Sequence, residues 1–339
     1  MSDVAERAAV SVQTVSNVVN GQVVVAQPTR DRVVAAIEAL GYHPNWTARN
    51  FRRQRSGNIG YLIRDPTARF LSRPYHLEVL SGMAEAARAH DYGVLIYGTL
   101  GPNPTSASLL RPIVERRVDG AVLSVSGTVA ERAEILGELK SAAAPFVVLD
   151  ESVRGPSLAS VTAANYEGAR MAVDYLVGIG RLEIAMVAAR IEWGDVDARI
   201  AGFMDGLTAH GMRAEGSVVR ASRAGVDDSL IEGSASTTVD LLRSRPEVDG
   251  IFAAGDEIAV GVVRAARELQ RAVPGSLAIV GFEDEFLATL LETPLTAVHV
   301  PYFEMGRRAA ELLLGRIETG SFDQHEVVIP ARLIIRTSA

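Results

Sequence analysis

The first forty residues carry apolar positions at helical spacing in three short segments. A break at Ala9-Val10 separates the first two, and Ser11 offers a hydroxyl where the second helix needs an N-cap. Two helices this short cannot bury a core alone, so the segment 29–40, which ends before Gly41, must cover them. The pattern predicts a helix-turn-helix with a supporting helix. Its apolar positions are Val4, Ala5, Ala8, Val15, Val18, Val19, Val33, Val34, Ile37 and Leu40.

The pattern changes from Gly57 onward, where short runs that are apolar on both faces alternate with amphipathic helical stretches. Such runs indicate parallel sheets covered on both sides. Two series occur, which predicts two open α/β sheets in tandem with a ligand cleft at their strand ends. The predicted strands are 59–63, 94–97, 121–125, 146–149, 184–188, 218–220, 251–254 and 278–282. The predicted helices are 77–89, 109–116, 130–142, 169–179, 199–211, 234–244 and 258–269.

Composition limits the classes that remain. The chain has 339 residues, of which 48% are hydrophobic and 22% charged, as in a folded protein with a small module and a larger body. It lacks an apolar run of membrane-spanning length and the start of a signal peptide, so we expect a cytoplasmic protein without a membrane partner. Six histidines, no cysteines and no phosphate-loop or dinucleotide motif favour a protein that is not an enzyme and needs no metal or cofactor. Chemistry carried by carboxylates alone stays open.

Charge is divided unequally along the chain. The net charge is −7, yet residues 1–55 carry seven arginines against four acidic residues, which leaves −10 for the remainder. A cationic head on an anionic body keeps the attraction to phosphate local to the head. Lys140 is the only lysine, so phosphate contacts must come from arginines and from backbone or hydroxyl donors.

Two N-terminal motifs carry a resemblance to a known family. Residues 3–21 read D-V-A-x-x-A-x-V-S-x-x-T-V-S-x-V-x-N-G, and residues 33–52 read V-x-x-A-I-E-x-L-G-Y-x-P-N-x-x-A-R-x-F-R. Together they resemble the start of LacI/GalR repressors. Further matches to that family lie at 164–169, 199–203, 251–256, 280–284, 294–298, 305–306 and 330–336. The resemblance therefore covers nearly the whole chain.

The resemblance implies a fold and its boundaries. We expect an all-α helix-turn-helix headpiece at 1–44, a hinge helix or linker at 45–56, and a two-lobed α/β body like a periplasmic binding protein, with two open parallel sheets. Lobe 1 would hold 57–160 and 290–320, and lobe 2 would hold 161–289 and 321–339. The chain starts about three to five residues later than family members usually do, so the first turn of the first helix is expected to be shortened.

The headpiece residues that the resemblance assigns to DNA have chemistry suited to that role. Gln13 and Asn17 can bond an adenine edge, and Val12 can touch a thymine methyl group. Thr14, Ser16 and Thr29 are expected to donate to phosphates. The alternative is that Gln13 and Asn17 are ordinary solvated helix residues. Many relatives carry arginine at the position of Asn17, which argues against a guanine preference there.

The hinge prediction concerns Asn45, Ala48, Phe51 and Arg52. By resemblance, this segment forms a helix on the operator, pairs with its dimer mate and enters the minor groove. An apolar side chain then wedges between base steps and kinks the DNA. Family members usually carry leucine at the wedge, where this chain has Phe51. The alternative is a basic, flexible tether.

The resemblance also assigns a cleft for a small effector. Arg199 and Asp256 would clasp its polar groups, although they could simply form a salt bridge. Asp150 would face the cleft or cap a turn. We expect Tyr302 and Trp193 to offer flat faces for a sugar ring, unless they are core residues. Arg69 and Tyr75 belong to a loop that departs from the family pattern; its arginines would suit an anionic effector, or the loop is merely solvated.

These observations predict a ligand-responsive, sequence-specific regulator of transcription. We expect a repressor of carbohydrate-utilisation genes that binds a pseudo-palindromic operator, with a sugar or sugar derivative as effector. The chain shows no added leucine heptad, which favours a homodimer. Two alternatives are a purine or anionic corepressor that promotes DNA binding, and a pure solute-binding protein.

Overall fold

The computed structural model describes residues 1–20, 25–42, 55–64, 74–99, 109–141, 144–153, 155–190, 194–222 and 230–339. It divides into two compact units, residues 1–56 and residues 57–339. The described residues of the first unit form three helices, α1 (Ser2–Ala8), α2 (Val12–Asn20) and α3 (Gln27–Leu40).

The three helices of the first unit are bounded by local signals that the sequence contains. Ala9 takes the left-handed conformation at the end of α1. The hydroxyl of Ser11 then accepts a hydrogen bond from the backbone N–H of Thr14 at 3.1 Å, as an N-cap does. Gly41 ends α3 with a φ of 55°. The helix-turn-helix with its supporting helix is confirmed.

One detail of the headpiece core differs from the predicted pattern. Val33 is buried, but Val34 and Leu40 are 42% and 43% exposed. Ala36 takes their place, because the close approach of three short helices favours a small residue there. The core of the unit consists of Val4, Ala5, Ala8, Val15, Val33 and Ala36.

The second unit contains two lobes, each built on a six-stranded sheet. Lobe 1 comprises β1 (Asn58–Arg64), α4 (Pro74–Ala89), β2 (Gly93–Thr99), α5 (Arg111–Val114), β3 (Ala121–Val125), α6 (Val129–Ser141), β4 (Phe146–Leu149), β5 (Leu158–Ala163), α12 (Tyr302–Thr319) and β11 (Glu326–Ile329). Lobe 2 comprises α7 (Asn165–Gly178), β6 (Ile184–Ala189), α8 (Gly194–Ala209), β7 (Val218–Ala221), α9 (Leu230–Ser244), β8 (Gly250–Ala253), α10 (Asp256–Glu268), β9 (Ala278–Glu283), α11 (Phe286–Leu290), β10 (Thr296–His299) and β12 (Arg332–Ile334).

The strand orders are β11-β5-β4-β3-β1-β2 in lobe 1 and β12-β10-β9-β8-β6-β7 in lobe 2. All described pairings in these sheets are parallel except that of β12 with β10. Helices cover both faces, as the continuous apolar runs predict: Tyr61 packs in the same cluster as Val79 of α4, whereas Leu62 packs with Ile135 of α6. The two open α/β sheets are confirmed.

The chain crosses between lobes later than the predicted boundaries near 160, 290 and 320. Residues 158–163 form one strand of the first sheet. Strand β10 pairs with β9 and so belongs to lobe 2, although 290–320 was predicted to lie in lobe 1. Strand β11 pairs with β5 and so belongs to lobe 1, although 321–339 was predicted in lobe 2. Strand pairing thus places the crossings near 164, 300 and 330.

Close helix packing aligns the ends of helices at the cleft. A side-chain carbon at Gly82 would lie 1.9 Å from a backbone oxygen of α12, and one at Gly306 would lie 2.0 Å from a backbone oxygen of α4. Only glycine permits this contact. It brings together the first turns of α4 and α12, where the rings of Tyr75 and Tyr302 meet edge to face at 4.8 Å.

Candidate ligand cleft and helix-turn-helix surface

A buried arginine organises the lobe 2 wall of the cleft. Gly202 allows α8 to approach α7 so closely that an added side-chain carbon would lie 2.1 Å from a backbone oxygen. Arg199 of α8 consequently reaches Asn165 of α7, and its Nε donates to Oδ1 at 2.8 Å. Its Nη1 donates to the carbonyl of Ala254 at 2.7 Å. The guanidinium lies 4.2 Å from the ring centroid of Phe282.

Two carboxylates complete the contacts of this guanidinium. Nη2 of Arg199 donates to Asp195 one turn earlier on α8 at 3.0 Å, and Nη1 donates to Glu283 at 3.2 Å. The side chain of Arg199 is only 4% exposed, whereas those of Asp195 and Glu283 are 16% and 26% exposed, so both ion pairs are partly shielded from water. Removing one member of such a group leaves a buried charge without compensation.

Asp256 begins α10 at the end of the neighbouring strand. It is 1% exposed, and its Oδ2 accepts the backbone N–H of Glu285 at 2.6 Å. Its Oδ1 is buried and has no hydrogen-bond partner in the described part of the chain. Burial raises the pKa of this carboxyl to about 9, and the nearby Glu283 contributes further. A buried carboxyl oxygen without a partner is stabilised by binding a proton or by accepting a hydrogen bond from a ligand.

Lobe 1 contributes a carboxylate and two tyrosines. Asp150 follows β4 in the left-handed conformation, with a φ of 59°, which aspartate tolerates better than most residues. The hydroxyl of Tyr75 donates to Asp150 Oδ2 at 2.6 Å. Burial raises the pKa of Asp150 to about 7, with a smaller contribution from Asp195. Tyr302 packs edge to face against Tyr75 and is also buried.

Acidic groups from the two lobes face one another in the cleft. The negative charges of Asp195 and Glu283 on lobe 2 raise the pKa of Asp150 on lobe 1. Burial raises the pKa of Glu285 to about 8; Glu283 raises it further, and the backbone N–H of Tyr75 across the cleft lowers it. The two walls of the cleft therefore bring carboxyl groups close to one another.

The structure brings together five of the seven predicted effector residues, namely Tyr75, Asp150, Arg199, Asp256 and Tyr302. Arg69 and Trp193 lie outside the described residues. Arg64, at the start of the loop considered for an anionic effector, is buried and bonded to Glu131 and to the carbonyl of Ser126. Its guanidinium is thus already hydrogen-bonded to groups within lobe 1.

Sequence reasoning missed four polar residues of the cleft: Asn165, Asp195, Glu283 and Glu285. Signals for two of them were present. Asp195 precedes Arg199 by four residues, which is one helical turn, and Glu283 lies at the end of a predicted strand. Acidic residues in such positions are usually solvated, so burial could not be read from the sequence.

The exposed face of α2 carries the residues expected to read DNA. Val12 is 46% exposed, and Gln13 is exposed with its Nε2 donating to Asn17 Oδ1 at 2.9 Å. Thr14 and Thr29 are partly exposed. Ser16, which was also predicted to donate to phosphate, is only 5% exposed. Asn45, Ala48, Phe51 and Arg52 lie outside the described residues.

Two other kinds of feature are absent from the described residues. They contain no helix long and apolar enough to cross a bilayer. They also contain no group of three or more histidine or acidic residues placed to hold a metal ion.

A helix-turn-helix unit joined to a two-lobed body with a polar cleft defines a DNA-binding regulator with a ligand-binding body. Comparison with known proteins agrees: the pattern of bacterial regulatory proteins of the lacI family matches residues 1–45, and that of a periplasmic binding protein-like domain matches residues 173–339.

Known relatives match over nearly their whole length. Catabolite control protein A of Priestia megaterium is 31% identical, with 99% of this chain and 98% of the relative covered. The ribose operon repressor of Halalkalibacterium halodurans is 30% identical, with 98% and 95% covered. The chain therefore belongs to the LacI family of transcriptional regulators.

Solved structures show the same fold. The transcriptional regulator CelR in complex with cellobiose aligns with a TM-score of 0.73 at 27% identity, covering 99% of this chain and 98% of that one. The lac repressor dimer bound to operator and the anti-inducer ONPF aligns with a TM-score of 0.82 at 24% identity, covering 99% and 97%. The predicted family and fold class are confirmed.

Proposed function

We propose that this protein is a homodimeric transcriptional repressor that binds a pseudo-palindromic operator and is controlled by a small polyhydroxylated effector. The observation that carries this proposal is the convergence of Tyr75, Asp150, Arg199, Asp256 and Tyr302 on one cleft, in a chain whose N-terminal unit exposes the reading face of α2. CelR, which is similar over the whole chain, is described in complex with cellobiose.

Base recognition is assigned to the exposed face of α2. Gln13 can offer an acceptor and a donor to an adenine edge, and its contact with Asn17 holds both side chains on the same face of the helix. Val12 is exposed enough to meet a thymine methyl group. Thr14 and Thr29 are proposed to contact phosphates and so to fix the register of the helix.

The segment 45–56 is proposed to act as a hinge. In this proposal, Phe51 is the wedge in the minor groove, Arg52 contacts phosphate, and Asn45 and Ala48 lie on the side of the hinge helix that meets DNA and its dimer mate. The basic sequence around Phe51 supports the proposal.

A second copy of the chain is proposed to pack on α11. Phe286 and Leu290 lie one helical turn apart and are 71% and 62% exposed. Large exposed apolar neighbours of this kind are typical of interfaces. The lac repressor, whose fold this chain shares, is described as a dimer on its operator. Replacing both residues by aspartate should lower the dimer fraction in sedimentation experiments.

Control by the effector follows from the two-sided cleft. Tyr75, Asp150 and Tyr302 belong to lobe 1, whereas Arg199 and Asp256 belong to lobe 2. A ligand that contacts both lobes binds the closed body more tightly than the open one and so shifts the equilibrium between them. The segment that joins the body to the headpiece then transmits this change as a coupling free energy to operator affinity.

The proposal is tested by selecting genomic fragments with the full-length protein and then titrating the enriched site. We expect a two-fold symmetric site whose affinity changes at least tenfold when an effector that raises the melting temperature is added. Equal binding to all fragments would contradict a repressor role, and a cleft ligand without effect on operator affinity would contradict ligand control.

A further inference from the structure

Among the residues that the structure describes, the cleft contains more acidic groups than basic ones. Five carboxyl groups meet there, and among the described residues Arg199 is the one cationic side chain that pairs with any of them. Only Asp195 and Glu283 benefit from that pairing. The remaining three, Asp150, Asp256 and Glu285, have hydrogen-bond donors but no cationic partner in the described part of the chain.

This imbalance is costly in a buried site. A carboxylate that loses its water without gaining a cation favours its neutral form. Asp256 shows the effect most clearly, since it is 1% exposed and its Oδ1 has no partner in the described part of the chain. One positively charged hydrogen-bond donor on a ligand would bond to this oxygen and would also offset the excess of negative charge.

A metal ion does not match the arrangement. Calcium and magnesium require several oxygens within about 2.6 Å of one point. The described residues place no group of three acidic or histidine side chains in that way. The carboxyl groups instead lie along both walls of the cleft, from Asp150 to Glu285, beside the rings of Tyr75 and Tyr302. That layout suits an organic molecule with one charged group and several polar ones.

We propose that the effector is a polyhydroxylated molecule with a protonated amine, such as an amino sugar or an amino polyol, whose ammonium group binds at Asp256 and Asp150. This inference rests on the proposed function and names the chemical class of its effector. The hydroxyl groups of the frame bond to the other carboxylates, and its apolar face lies on the tyrosines. A sugar acid is disfavoured because its carboxylate would add to the existing negative charge.

The same charges give the amine a part in lobe closure. Asp150 comes from lobe 1, whereas Asp195 and Glu283 come from lobe 2, and their like charges interact unfavourably when the lobes meet. An ammonium group between them reverses the sign of that interaction. A neutral frame supplies hydrogen bonds but leaves the repulsion in place. The ammonium group is therefore the part of the effector that stabilises the closed body.

The test compares matched sugars by titration calorimetry with the full-length protein. Ribose, glucose, galactose and mannose are each offered with a hydroxyl, an amine or an acetamido group at carbon 2, together with the corresponding uronic acids of the hexoses. We expect at least one amine to bind ten or more times tighter than both of its uncharged counterparts. Binding of that amine should also release protons, measured in two buffers of different ionisation enthalpy, because Asp256 and Glu285 hold protons near neutral pH.

Variants of the cleft show which carboxyl groups bind the ammonium group. Asp256→Asn and Asp150→Asn keep the side-chain shape and should reduce the preference for the amine to less than threefold. Asp197→Asn is the control: it removes one negative charge from α8 at an exposed position that pairs with Arg220. This variant should leave the preference for the amine unchanged. Circular dichroism and melting curves establish that each variant is folded, and wild-type protein with the matched panel tests the proposal even where a variant is not.

The outcomes separate this inference from the function on which it rests. If the hydroxyl forms bind as tightly as the amines and alter operator binding, the ammonium proposal is wrong and the sugar-controlled repressor stands. If the uronic acids bind best, the charge argument is wrong. If no member of the panel binds, both the ammonium proposal and the sugar class of the effector are wrong.

Discussion

Asp256 provides a quantitative prediction about stability and pH. Its folded pKa of about 9 lies well above its ordinary value of 3.8 because the carboxyl is buried. A carboxyl whose folded pKa is raised stabilises the fold fully below its unfolded pKa, and that contribution is lost as the pH rises through the folded pKa. The loss should therefore extend from about pH 4 to about pH 9.

The magnitude follows from the linkage relation. Each pH unit within this window costs about 1.4 kcal/mol for one fully linked proton, so stability should fall by about 2 to 3 kcal/mol between pH 5 and pH 7. Asp256→Asn removes this proton-binding site and should flatten the dependence by that amount. The pKa values of Asp150 and Glu285 are also raised, so these two groups account for the pH dependence of stability that remains in Asp256→Asn.

The assay is urea unfolding of the body, followed by far-ultraviolet circular dichroism at pH 5, 6, 7 and 8 and one fixed protein concentration. Fixing the concentration removes the contribution of dimer dissociation to the comparison. Asp197→Asn, which changes an exposed carboxylate on α8, serves as the control and should keep the wild-type slope. If the free energy of unfolding depended on pH in the same way for wild type and Asp256→Asn, the reasoning would be refuted. That result would show that Asp256 is ionised in the folded protein at neutral pH.

Other substitutions separate the DNA and ligand functions. Arg199→Ala leaves the partly buried Asp195 and Glu283 without a cation and should cost up to about 3 kcal/mol in unfolding experiments, the lower end of the range for a fully buried pair, with loss of the effector response; unchanged stability would show that the ion pairs do not contribute to the fold. Gln13→Ala should relax base preference by about 1 to 3 kcal/mol at one operator position in competition binding, and an unchanged preference would remove Gln13 from the interface. Phe51→Ala should reduce operator bending in gel-shift assays, and an unaltered bend and affinity would contradict the wedge. Arg52→Ala should weaken binding to all sequences and lower the salt slope by about 1, whereas a sequence-dependent loss would indicate base contact.

The periodicity of apolar residues was the main source of correct predictions. Alternating apolar runs predicted both sheets, and the N-cap at Ser11 and the glycine at Gly41 bounded two helices of the headpiece. Ser16 shows where this reasoning ends, since a polar side chain within a helix can face either the core or DNA and only tertiary packing decides.

The lobe boundaries and the cleft depended on contacts between distant segments. The apolar pattern predicted neither β10 nor β11, and the sheet to which each strand belongs is defined by its pairing with β9 and β5. Glu283 and Asp195 become site residues only because α8 brings Arg199 between them. Burial of an acidic residue follows from such contacts, so the acidic character of the cleft required the structure.

Operator binding measured with and without a cleft ligand tests the central claim most directly. Full-length protein and a site enriched from genomic fragments are titrated by fluorescence anisotropy, first alone and then with the ligand that most raises the melting temperature. The account predicts one two-fold symmetric site, weaker binding by Gln13→Ala, and a change of at least tenfold in affinity with ligand. Binding that ignores both sequence and ligand, in protein whose headpiece is folded, would contradict it.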